Sequence, residues 1–169
     1  MVISVGQVKE LREQSGAGIM ACRKALLEAQ GDMAKARELL KERGLLVAKK
    51  KADREATQGV IESYIHAGGR IGAMVELNCE TDFVARTSEF RELAHNIAMQ
   101  VAAMRPQFIA AEEVPETTEV ELSTACLLMQ PYIRDLSRTV QDLISETVAK
   151  VGENIKVGRF SRFELGEQD

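Results

Sequence analysis

The chain has 169 residues, 45% of them hydrophobic, enough for one sizeable domain or for a small and a medium one. No apolar run approaches the roughly 20 residues of a membrane span, and Met1 to Gln7 lacks the basic and apolar regions of a signal peptide, so a cytoplasmic location with no membrane partner is expected. The net charge of −4 is uneven: residues 1–57 carry twelve Lys/Arg against eight Asp/Glu, residues 58–169 ten against eighteen, and so acidic a body argues against direct nucleic-acid binding.

The first 46 residues read as three short helices separated by glycines. Ser4 followed by Gln7 fits a capping box, with Ile3 and Val8 spaced as a hydrophobic staple. Val8 and Leu11 continue one face, which Gly16 and Gly18 end. A second helix carries Ile19, Cys22, Leu26 and Ala29 and stops at Gly31. Asp32 is a natural N-cap for a third, with Met33, Ala36, Leu39 and Leu40 inside and Gly44 as the expected stop. Residues 47–58, with Lys49-Lys50-Lys51, read as a solvated basic linker, helical or extended.

Residues 59–169 read as a second, α+β domain. Val60 to His66 is β-rich, Gly68-Gly69 follows, and Ile71, Ala73, Val75 and Leu77 then alternate with Gly72, Met74, Glu76 and Asn78, which is a hairpin pattern. The glycines lack the Lys and Ser/Thr of a phosphate loop and open a strand rather than a helix. Phe90, Leu93, Ala94, Ile97, Ala98 and Val101 predict a helix from about Thr87 to Arg105-Pro106. An exposed acidic connection over 107–121 is expected, then a helical stretch from about Leu122 with Pro131 as a break. Ile133, Leu136, Val140, Leu143, Ile144, Thr147 and Val151 then mark one face that stops at Gly152. A last strand carries Ile155 and Val157, then Phe160, Phe163 and Leu165, and its slip in parity predicts a bulge near Gly158. The predicted fold is α+β: a three-helix bundle, then β-β-α-α-β with a three-stranded antiparallel sheet covered by helices.

Between the second strand and the long helix lies Cys79-Glu80-Thr81-Asp82-Phe83-Val84-Ala85-Arg86, an acid and one of only seven aromatics side by side in a strand-to-helix turn. Two readings stand: Thr81 or Asp82 caps a helical turn while Phe83 folds back onto the core, or the pair faces a partner. No catalytic constellation is visible. His66 and His95 lie on different elements without carboxylates or cysteines at metal-ligand spacing, Cys22, Cys79 and Cys126 fit reduced core thiols, and nothing marks Glu80 and Asp82 as a working carboxylate pair. No enzyme activity, cofactor or metal is expected.

Three blocks resemble one family. Glu80-Thr81-Asp82-Phe83-Val84-Ala85 is similar to the signature turn of the elongation factor Ts family, the guanine-nucleotide exchange factors of bacterial translation. Leu11-Arg12-Glu13 with Gly16 through Leu26 resembles that family's N-terminal block, and Gly152-Glu153-Asn154-Ile155 with Arg159-Phe160 its C-terminal strand. The resemblance implies that residues 1–46 are a ubiquitin-associated-like domain that docks on the nucleotide domain of elongation factor Tu, with Arg12, Ile19, Met20 and Arg23 as contacts. It implies that Phe83 wedges into the GTPase and disturbs its Mg²⁺ site, with Asp82 beside it and Thr81 and Val84 holding the turn. Longer relatives carry two core halves; this chain has room for one, which implies a homodimer. Two positions depart from the pattern: Arg23 stands where relatives commonly have Lys, and Ala21 where they often have an acid. From the N-terminal segment alone, an alternative is a non-catalytic adaptor that binds ubiquitin-like or other protein surfaces.

Overall fold

The computed structural model describes residues 3–167, so the first two residues of the 1–46 span and the last two of the 59–169 span lie outside the described residues. Helix α1 (Val5–Ser15) opens on the expected capping box, the Ser4 hydroxyl accepting from the Gln7 amide while the Gln7 side chain accepts from the Ser4 amide. It closes on Gly16 in the left-handed conformation, φ 65°. With α2 (Ile19–Glu28) and the first half of α3 (Met33–Lys51) it encloses a small core of Leu11, Cys22, Ala25, Leu26, Ala29 and Ala36, flanked by Ile3, Val8, Leu39 and Leu40.

Helix α3 does not stop at Gly44. A glycine in a helix costs only about 1 kcal/mol, and here the residue is buried where a Cβ would sit 3.8 Å from the Ser145 carbonyl oxygen of the body. Beyond it Val47 and Ala48 pack on the body core, and Lys49, Lys50 and Lys51 occupy the last turn, where cations favour the helix dipole. The first half of the basic stretch is thus helix, and only residues 52–57 connect to the sheet.

The body's sheet has the order β1-β2-β5, all antiparallel: β1 (Gln58–Ile65), β2 (Ile71–Cys79) and β5 (Ile155–Glu164). Ala73, Val75, Leu77 and Cys79 of the central strand point inward, as their alternation predicts. The expected bulge is present: Glu76 pairs with Arg159 and Leu77 with Val157, leaving Gly158 unpaired. After β2 come a one-turn helix α4 (Asp82–Ala85) and the long α5 (Ser88–Met104), capped by the Thr87 hydroxyl and buried along Phe90, Leu93, Ala94, Ile97, Ala98 and Val101. The mostly exposed segment from 107 to 121 leads to a short helix α6 (Leu122–Ala125).

Here the sequence reading is corrected. Residues 131–139 form a small hairpin, β3 (Pro131–Tyr132) and β4 (Asp135–Thr139), and α7 begins only at Val140, running to Val151. Leu136, read as part of a helical face, is exposed. The cause is a pair of fully buried amides. Gln100 donates to the Gln130 side chain and to the Pro131 carbonyl and accepts from the Ile133 amide, while Gln130 donates to the Thr124 carbonyl. These bonds favour an extended 131–133, because a helix there would take the Pro131 carbonyl and the Ile133 amide from the buried Gln100 side chain.

Candidate functional site

The turn after β2 presents Phe83 to solvent. Thr81 is the N-cap of α4, its hydroxyl accepting from the Val84 amide at 3.4 Å, which settles the capping role on Thr81 rather than Asp82. Val84 and Ala85 are buried against the body and anchor the inner side of the turn. With those two inside, the helical rotation carries Asp82 and Phe83 outward, and Phe83 is 79% exposed instead of folding back onto the core. Asp82 and Arg86 form an exposed ion pair at 2.7 Å one turn apart, a contact that steers the carboxylate without adding much stability.

The base of the turn is tied to a distant segment. The Glu153 carboxylate accepts from the Glu80 amide (3.1 Å), the Thr81 amide (2.9 Å) and the Thr81 hydroxyl (2.6 Å). Glu80 in turn accepts from the Asn154 amide at 2.7 Å, with the Arg54 guanidinium 3.6 Å away. Asn154 donates to the carbonyls of Ala52 and Arg54, and Lys51 to that of Gly152. Burial, and then the nearby Glu153 charge, push the Cys79 thiol up from its ordinary value, which keeps it protonated. Glu80 and Asp82 serve different partners and do not form a carboxylate pair.

The other candidates gather at the α1–α2 end of the bundle. Arg12 lies in the last turn of α1, and Ile19, Met20 and Arg23 in the first turns of α2, all four exposed. Met20 is 69% and Ile19 55% exposed, so neither fills the core: Cys22, Ala25 and Leu26 occupy the inner face. Ile19 therefore departs from the inward position its spacing suggests.

Two features were not legible beforehand. Glu153 and Asn154, quoted in the sequence only as a strand cue, hold the turn at 81. The outer face of the sheet leaves Ile61, Ile65, Met74 and Phe163 exposed among polar neighbours such as Ser63, Ser161 and the Glu76–Arg159 pair. On that face Ile65 and Phe163 both pair across from Gly72, and the Ile65 side chain covers the space a Cβ there would need. His66 and His95 each lie near the Tyr64 ring, with centroids 6.1 and 5.7 Å away. Among the described residues no group of three or more His, Cys, Asp or Glu is arranged to hold a metal, and no helix is long and apolar enough to cross a membrane.

Residues 28–125 match the family model described as "Elongation factor TS". Among curated proteins the chain is 49% identical to the elongation factor Ts of Moorella thermoacetica, covering 98% of this chain and 97% of that one, and 45% identical to that of Thermotoga neapolitana, covering 99% and 100%. Both alignments run over 196 positions against 169 residues here, so the relatives carry residues with no counterpart in this chain.

Proposed function

Since the chain belongs to the elongation factor Ts family, whose known role is nucleotide exchange on elongation factor Tu, we propose that it drives GDP release by inserting Phe83 into the GTPase while the bundle holds on through Arg12, Ile19, Met20 and Arg23. The observation that carries this reading is an aromatic ring left in solvent on a capped turn whose other side is buried. Such a ring supports little of the fold and is well suited to anchor a partner, because it gains its burial only on docking.

GDP is held by phosphate-binding backbone and by Mg²⁺, an ion that demands near-ideal octahedral geometry. Displacing an element that contributes to that geometry leaves the phosphate charge less compensated, and the nucleotide dissociates faster. Linkage requires factor and nucleotide to weaken each other by the same ratio. The factor therefore favours the empty GTPase and is displaced by incoming GTP. No bond in the factor is made or broken, so the action needs neither a catalytic base nor a cofactor. Residues 1–46 act as the docking unit and 59–169 as the body, with 47–58 between them, at work in the cytoplasm with neither nucleic acid nor membrane as a direct partner.

The apolar groups on the outer sheet face support a homodimer. Ile61, Ile65, Met74 and Phe163 are exposed there, with the Glu76–Arg159 ion pair at 2.8 Å in the same row as Ile61, and exposed apolar side chains on a sheet favour burial against a second surface.

The test is release of a fluorescent GDP from elongation factor Tu in the presence of excess unlabelled GDP. Acceleration by the wild type and its loss in Phe83→Ala support the wedge. Acceleration by both moves the action to the bundle contacts, and acceleration by neither favours the adaptor reading.

A further inference from the structure

We propose that Glu153 is a positioning residue for exchange: its carboxylate fixes the direction in which Phe83 leaves the body. This rests on the wedge reading above. Strands β2 and β5 remain paired as far as Cys79 and Ile155. One step further on, the chains turn away and backbone pairing ends. Two glutamates continue the pairing with side chains, each accepting from the other's segment: Glu153 takes the amides of Glu80 and Thr81, and Glu80 takes the amide of Asn154. The register is thus carried past the end of the ladder by charge-assisted bonds, which are stronger than neutral ones.

The hydroxyl of Thr81 links this brace to the wedge. It has one proton to give and lone pairs to accept with. The proton is committed to Glu153 at 2.6 Å, which leaves the oxygen facing the Val84 amide as the cap of α4. A four-residue helix has almost no stability of its own, so its axis, and with it the exit vector of Phe83, is set by that cap and by the buried Val84 and Ala85. An ionised carboxylate is the one side chain that can accept from all three donors. A glutamine of the same shape offers a single oxygen and turns an NH₂ group toward at least one of them.

A brace that only stabilised the fold would affect any binding step alike. A brace that aims the ring acts on the step in which the ring displaces its target. The measurement is the GDP-release rate of elongation factor Tu against factor concentration, for wild type, Phe83→Ala, Glu153→Gln and the double variant, alongside thermal unfolding of each full chain. The expected result is that Glu153→Gln lowers the limiting release rate about 10-fold, the scale of one lost charged hydrogen bond, while half-saturation stays within about 2-fold because the bundle contacts persist. It has no further effect in the Phe83→Ala background. A Glu153→Gln protein as fast as wild type overturns the proposal, as does one that loses the same factor with or without Phe83; in both cases the wedge stands if Phe83→Ala alone is slow. Phe83→Ala at the wild-type rate overturns the wedge and the proposal together. Should Glu153→Gln fail to fold, Thr81→Val and Thr81→Ser decide. The first removes the hydroxyl and is expected to be slow, the second restores it and is expected to be fast, and equal rates for the two overturn the proposal.

Discussion

Lys41 of the bundle and Asp142 of the body are joined by an ion pair of 3.1 Å, with the carboxylate almost fully buried in the first turn of α7. Asp142 also completes a capping box, accepting from the Thr139 amide while its own amide donates to the Thr139 hydroxyl. Removing the Asp142 carboxylate therefore takes away the side-chain half of that box and strands a half-buried ammonium. Asp142→Ala is expected to destabilise by about 2 kcal/mol, and Lys41→Ala by about half as much, as read from denaturant midpoints. A double-mutant cycle returning no coupling would show that the two segments do not support each other.

Phe83→Ala is expected to leave unfolding within about 0.5 kcal/mol of wild type, because surface truncations away from caps and cores rarely do more. Its effect on exchange should be large, about 2 kcal/mol or on the order of 30-fold for a central aromatic anchor. Asp82→Ala should cost less, since that carboxylate is already paired with Arg86 in solvent. Parallel melting and GDP-release curves check both statements.

The sheet face gives a prediction about assembly. Phe163 is 71% exposed and Met74 stands near it on the central strand. Phe163→Asp is expected to shift the protein from dimer to monomer in sedimentation equilibrium while leaving the monomer folded. A wild-type chain that sediments as a monomer at micromolar concentration refutes the dimer.

Glu146 carries a pH signature. Burial raises its carboxyl above the ordinary value, with Arg138 and then Lys150 partly offsetting the shift. A carboxyl whose folded value is raised binds its proton more tightly in the folded state, so stability falls as pH rises from the ordinary carboxylate range through the raised value. Glu146→Gln abolishes that loss and keeps an acceptor for Arg138, whose Nη1 lies 2.8 Å from the carboxylate. At neutral pH the variant is expected to be at least as stable as wild type, with any gap closing as pH drops toward 4. Chemical unfolding at several pH values is the check, and a gap that widens in acid would contradict the assignment.

What could be read beforehand was local. The capping box at Ser4, the unbroken face of α5, the alternation of β2 and the bulge at Gly158 each arise from spacings within a few residues, and each is present. What could not be read depends on distant partners. Helix α3 passes Gly44 because α7 lies against it, and the hairpin at 131–139 exists because Gln100, some thirty residues earlier, needs backbone to bind. The turn at Asp82-Phe83 was legible as a place, but not as a direction: which way the ring points follows from the burial of Val84 and Ala85, and from Glu153 more than seventy residues away.

The unbroken run of α3 bears on how the chain can change over time. Nineteen residues at about 1.5 Å apiece make a strut of about 28 Å, tied near its middle by Lys41 to Asp142 and at its C-terminal end by Lys51 to Gly152. Such a strut carries torsion. One residue gained or lost between Leu40 and Lys51 would turn the bundle by about 100° relative to the body and change the direction of Met20 relative to Phe83. With both ends engaged on one partner, the second contact forms at an effective concentration set by that angle rather than by diffusion. Insertions and deletions in this helix should therefore be tolerated only as whole turns.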